Sequence, residues 1–240
     1  MSTPAALHPA ALHTADAIDE LRAIGREFHG RGWSLGTSSN YSVILSRNPL
    51  ELLVTASGKD KSALTRDDFV RVDSVGRVAD GSDRRSSAET LLHCTIAELM
   101  PSVGAVLHTH SAWGTILGGA DLPPGAGAGT LRIAGYEMLK GLEGITTHDT
   151  HEDVPIFANT QDMRELSARI KQQFAGLDFT APGRPPVHGF LIARHGLYTW
   201  GRDLAEARRH IEIFEFLFEC VARSRTLPSG PAAMQQAQQQ

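Results

Sequence analysis

A chain of 240 residues with 41% hydrophobic and 21% charged side chains holds enough apolar material for a sizeable core. Its 23 basic and 27 acidic residues leave a formal charge of −4. No basic face dominates, which argues against nucleic acid as the main partner. No apolar run reaches the roughly 18–20 residues of a membrane span, and the N-terminal stretch lacks the basic start of a signal peptide. The two cysteines, Cys94 and Cys220, cannot build a disulfide framework. The expectation is a cytoplasmic protein with free thiols and no membrane partner.

Residues 1–13 are rich in Ala and Pro, and 227–240 are low in complexity. Both read as flexible, leaving 14–226 as a single domain. Ile18, Leu21, Ile24 and Phe28 predict a helix over 14–31, stopped by Gly30 and Gly32. Strands are expected at 41–45 and 51–55 around the Asn48-Pro49 turn, and at 69–73 and 77–79 around Gly76. A helix follows over 87–100, ended by Pro101, then a buried strand at 105–109 and a short helix from Ser111. Gly125 to Gly129 reads as a glycine-rich loop, and 131–134 as a strand. The spacing of Met163, Leu166, Ile170 and Phe174 predicts a helix over 162–174. Strands at 188–193 and 197–200 flank Arg194-His195-Gly196, and a last helix runs over 203–222. Interleaved helices with several tight strand turns predict a mixed, largely antiparallel sheet covered by helices on both faces.

The sharpest chemical signal is His108-Thr109-His110. Side chains at i and i+2 of a strand share a face, so both imidazoles could bind one metal. The alternative is that one histidine caps the next helix and the other packs. Two nitrogens are one short of the three protein ligands usual for catalytic zinc. His195, beside a glycine between two strands, is the best candidate for the third. His148, His151, Glu152 and Asp153 lack an apolar framing strand and read as a polar surface loop.

Three small-polar segments suit an anion: Gly36-Thr37-Ser38-Ser39-Asn40, Thr55-Ala56-Ser57-Gly58-Lys59, and Ser86-Ser87. Hydroxyls, glycine-exposed N–H groups and a helix start favour phosphate, and Lys59 or Lys61 would add charge. None has the Walker spacing. Glu89, three residues after Ser86, fits a capping box or a base near a metal. Glu137, after an apparent strand, reads alone as a surface residue.

Taken in order, GTSSNYS, VTASGKD, SSAETLLH, AVLHTHS and ARHGLYTWG resemble the class II aldolase/adducin-head family over about residues 15–225. The resemblance implies a three-layer α/β/α fold, one zinc ion per subunit, and a homotetramer with active sites at subunit contacts. It implies His108, His110 and His195 as zinc ligands. It places Thr37, Asn40, Ser57, Gly58 and Ser87 on phosphate-binding segments for a small sugar phosphate. Ala88 separates Ser87 from Glu89, where the aldolase pattern has two serines directly before the glutamate. Gly135-Tyr136-Glu137-Met138-Leu139-Lys140-Gly141 is similar to a dehydratase branch whose glutamate is the acid/base. Pro155 to Asp162 is similar to the same branch. The aldolase branch relies instead on the glutamate at the position of Glu89. The implied chemistry is loss of water from a ketose phosphate, with Glu137 and Glu89 as catalytic candidates. The rivals are a retro-aldol cleavage and a non-catalytic assembly module.

Overall fold

The computed structural model describes residues 14–227. The segments expected to be flexible therefore lie outside the described residues, apart from Leu227. Eight strands form one sheet: β1 (Asn40–Arg47), β2 (Leu50–Thr55), β3 (Phe69–Asp73), β4 (Ala105–Thr109), β5 (Ala128–Ala134), β6 (His151–Phe157), β7 (Gly189–Ile192) and β8 (Gly196–Gly201). Their spatial order is β3-β2-β1-β4-β8-β7-β6-β5. Every neighbouring pair is antiparallel except β6 with β7, which is parallel. Among the described residues five α-helices accompany the sheet: α1 (Thr14–Gly30), α2 (Thr90–Leu99), α3 (Ala112–Ala120), α4 (Met163–Phe174) and α5 (Leu204–Ser224).

Alternation along the strands decides which helix covers which face. Ala105 and Leu107 of β4 pack with residues of α1, α3 and α5. Val106, one residue out of phase, packs with Leu92 and Ile96 of α2 and with Leu166, Ile170 and Phe174 of α4. Cys94 and Ala97 of α2 cover Leu52, Val54, Val70 and Val72 on the same side. The arrangement is the expected three-layer α/β/α sandwich around a mixed, largely antiparallel sheet.

Two helix starts follow from side-chain caps. Ser111 accepts from Gly114 N–H at the head of α3, and Asp162 accepts from the Arg164 and Glu165 N–H groups at the head of α4. Glycine at 25 has a steric cause. A Cβ there would lie 2.5 Å from the Lys61 carbonyl oxygen, because a 3-10 turn at Lys61–Ala63 seats directly on α1.

Several expectations differ from the fold. β5 begins at Ala128, inside the segment read as a glycine-rich loop. Residues 77–79 form no strand; Val78 makes an isolated bridge to Val72. The helix expected from Ser87 begins at Thr90. The segment read as a polar loop at 148–153 opens β6 instead, with Glu152 turned inward and His151 outward.

Candidate active site

The site lies where β1, β4 and β8 end side by side. Antiparallel register sets Asn40 opposite His108 and His108 opposite Tyr198. His110 lies just beyond β4, its N–H donating to the Trp33 carbonyl. His195 stands in the turn between β7 and β8, which closes through Arg194 at φ 56°. Directly after it, a Cβ at Gly196 would overlap the Thr109 carbonyl oxygen. The turn thus presses His195 against the end of β4.

These elements bring His108, His110, His195 and Glu89 together, with one potential ligand atom of each within 4.8 Å of all the others. The Nε2 atoms of His108 and His110 are 2.7 Å apart. Glu89 Oε1 is 2.9 Å from His195 Nε2, and Oε2 is 3.5 Å from His108 Nε2. His108 Nδ1 donates to the Leu197 carbonyl at 2.8 Å, which fixes its tautomer and leaves the Nε2 lone pair facing the cluster. The ring also stacks on Tyr198, centroids 4.0 Å apart.

Charge supports the same reading. Burial pushes His108 well below the ordinary imidazole range and His110 down to about 4, so both are neutral near pH 7. Burial alone would raise Glu89, but a hydrogen bond with His195, the charges of His108 and His195, and the Asn40 amide outweigh it. The result is an ionised, largely buried carboxylate beside the neutral His108 and His110. Such a donor set fits a divalent cation, which needs deprotonated ligands and balances the carboxylate.

Behind Glu89 runs a chain of hydrogen bonds. Asn40 Nδ2 donates to Glu89 Oε2 at 2.6 Å and to Ser87 Oγ at 3.3 Å. Since that nitrogen donates, Asn40 Oδ1 accepts from His93 Nε2, and His93 Nδ1 accepts from Ser42 Oγ at 2.7 Å. Burial holds His93 down at about 4. The capping box does not form. Ser86 Oγ donates to the Gly76 carbonyl, and Glu89 makes no cap hydrogen bond. Its carboxyl is drawn to the cluster instead.

The three small-polar segments converge at this end of the sheet. Ala56 and Ser86 form a bridge, Ser57 N–H donates to the Arg85 carbonyl, and Asn40 contacts Ser87. Thr37, Ser57 and Gly58 are exposed, Gly58 with φ 71°. Asn40 is buried and already committed to Glu89 and His93. Lys59 is paired with Asp68 at 2.7 Å.

Glu137 is not part of the cluster in its own chain. It opens the 3-10 turn after β5 with 68% of its side chain exposed, hydrogen-bonded by Lys140 Nζ at 2.5 Å. β5 is the sheet edge four strands from β4, on the order of 19 Å at about 4.8 Å per strand. His148 and His151 do not form a second centre. Glu152, between them and β7, is buried and held by Arg184 and His188.

Sequence reasoning missed His93 and Tyr198. His93 lies four residues after Glu89 on α2, a spacing that puts both on one helical face. Tyr198 alternates with Trp200 on β8, and only the strand register shows that it stacks on His108.

Comparison with known proteins identifies the family. The model of the Class II Aldolase and Adducin N-terminal domain matches residues 19–222, and the chain belongs to this family. The methylthioribulose-1-phosphate dehydratase of Xanthomonas campestris pv. campestris (strain 8004) is 47% identical over 195 residues, 81% of this chain and 83% of the relative. That of Marinobacter nauticus is 45% identical over 206 residues, 86% and 92% of the two chains. Among solved structures, the L-fuculose-1-phosphate aldolase of Thermus thermophilus superposes with a TM-score of 0.66 at 20% identity, covering 89% of this chain and 97% of its own. That likeness is one of fold.

Proposed function

We propose that this protein is a zinc-dependent, cytoplasmic methylthioribulose-1-phosphate dehydratase of methionine salvage. It converts 5-methylthioribulose 1-phosphate to 2,3-diketo-5-methylthiopentyl 1-phosphate. The observation that carries this reading is the cluster of three histidines and Glu89 in a chain 47% identical to a dehydratase of that name.

His108, His110 and His195 would hold one zinc through their Nε2 atoms. The bound ion supplies Lewis acidity toward the ketone oxygen. Glu137 takes the proton from carbon 3, and the carbon 4 hydroxyl leaves with a proton as water. The enol left behind tautomerises to the 2,3-diketone, so the balance is the loss of one water. Thr37, Ser57, Gly58 and Ser87 receive the phosphate at the converging turns, while Asn40 joins that region to Glu89. Glu137, exposed and remote from the histidines of its own chain, acts on the cluster of a neighbouring copy. The working form is then an oligomer with its sites between subunits, and the family resemblance makes it a homotetramer.

A second reading has its own support. Glu89 lies 2.9 Å from His195 Nε2, whereas Glu137 does not touch the cluster. A retro-aldol enzyme would use Glu89 as its base. Turnover of methylthioribulose 1-phosphate, assayed beside fuculose 1-phosphate and ribulose phosphates, separates the two. For the dehydratase, Glu137→Gln should lower turnover by about 10²-fold or more, with zinc content unchanged. An active Glu137→Gln beside a dead Glu89→Gln would move the reading to the aldolase.

A further inference from the structure

The chain has four lysines. Lys59, Lys140 and Lys171 are each more than 40% exposed in the side chain and paired with Asp68, Glu137 and Glu98. Lys61 is the reverse: only 1% exposed, with no carboxylate oxygen within 4.0 Å of its ammonium among the described residues. Among the described residues its one hydrogen-bond acceptor is the Lys59 carbonyl, 2.7 Å from Nζ. An ammonium can donate three hydrogen bonds, so two have no acceptor among the described residues.

Burying an unpaired cation is costly, and a methionine would fill the same volume without that cost. The fold nonetheless makes room for it. α1 carries glycine at 25, and the turn bearing Lys61 rests on that notch. The ammonium folds back on the Lys59 carbonyl, directly after the Ser57-Gly58 pair that follows β2. Its charge and that of Glu89 favour one another, and the ammonium opposes protonation of His110. A Cβ at Gly58 would meet nothing within 4 Å, so the turn opens on free space. Burial lowers the Lys61 ammonium to about 8, against the opposing charges of Asp60, Asp68 and Glu89. It is still mostly charged near pH 7.

We propose that Lys61 binds the phosphate monoester of the substrate, donating from inside the protein while Ser57, Gly58 and Ser87 close round it from the surface. The proposal rests on the sugar-phosphate reading above and extends it. Hydroxyls and backbone N–H groups bring partial charges to a dianion; Lys61 brings the full positive charge and has donors to spare.

The test compares wild-type, Lys61→Met and Lys61→Arg zinc-loaded protein, titrated calorimetrically with inorganic phosphate. Zinc content and melting temperature serve as integrity checks. Phosphate affinity should fall about 10–100-fold in Lys61→Met and be largely restored in Lys61→Arg. In turnover of the sugar phosphate, KM should rise by more than kcat falls. An intact Lys61→Met protein with wild-type phosphate affinity overturns the proposal. Should Lys61→Met fail to fold, a crystal structure of the wild-type protein with phosphate decides: Nζ should lie about 2.7–2.9 Å from a phosphate oxygen. A phosphate bound out of reach of Nζ overturns the proposal equally. Lys61-dependent phosphate binding without turnover of methylthioribulose 1-phosphate would sink the dehydratase reading and leave Lys61 in place. Turnover of that substrate with an unchanged KM in Lys61→Met would do the opposite.

Discussion

Glu215 illustrates how a residue on the far side of β4 supports the site. It belongs to α5, is 3% exposed, and accepts from Thr109 Oγ1 at 3.0 Å. Thr109 is the residue between the two clustered histidines. Burial raises Glu215 to about 7, against the opposing hydroxyls of Ser111 and Thr109. The folded chain therefore holds this proton more tightly than the unfolded chain. The stabilisation is complete below the ordinary carboxylate value and is lost as pH rises through about 7. Its size is on the order of 3 kcal/mol. Glu215→Gln has no proton to lose. Denaturant unfolding between pH 5 and 8 should show the variant gaining on the wild type as pH rises; parallel profiles would contradict this. Nothing in the sequence marks Glu215, because it is one of several glutamates on an amphipathic helix. Only the register of β4 against α5 shows where it points.

The β7–β8 turn does for elements what Glu215 does for one strand. Gly196 lets the turn close onto Thr109, and no side chain fits in that space. Gly196→Ala should push β8 away from β4 and separate His195 from His108. The expected cost is about 1–3 kcal/mol or more of stability, with a loss of bound zinc, read by melting temperature and metal analysis. Full zinc occupancy in this variant would show that the turn does not set the cluster. How far elements were legible in the sequence follows from their patterning. α1, α4 and α5 bury residues at helical spacing, and Ala105 to Thr109 is apolar up to the histidine, so these boundaries were readable to within a few residues. β6 was not readable. Its inward positions begin with Glu152, a carboxylate kept ionised in the interior by His188 and Arg184. Hydropathy alternation does not reveal a strand whose buried face begins with a charge. The HxH pair and His195 were legible as separate signals; that Glu89 joins them rather than capping α2 became visible only in three dimensions.

At the scale of the whole molecule, the order of the sheet separates the two catalytic candidates. Glu89 is at the cluster, and Glu137 lies beyond the β5 edge. If each working site combines histidines of one copy with Glu137 of another, two dead variants should rescue each other. Unfolding and refolding an equal mixture of His195→Ala and Glu137→Gln should restore a substantial fraction of activity, while neither variant alone does. A mixture as inactive as its parts would confine each site to a single chain. The row formed by Asn40, His108 and Tyr198 has a further consequence. It joins three neighbouring strands that are far apart in sequence, and a slip of one residue in any of them would turn its side chain to the opposite layer. The cluster therefore gauges the alignment of the sheet, and it can assemble only after long-range pairing is complete. Metal uptake during refolding should then trail the appearance of secondary structure, acting as a timestamp for the arrival of the native register.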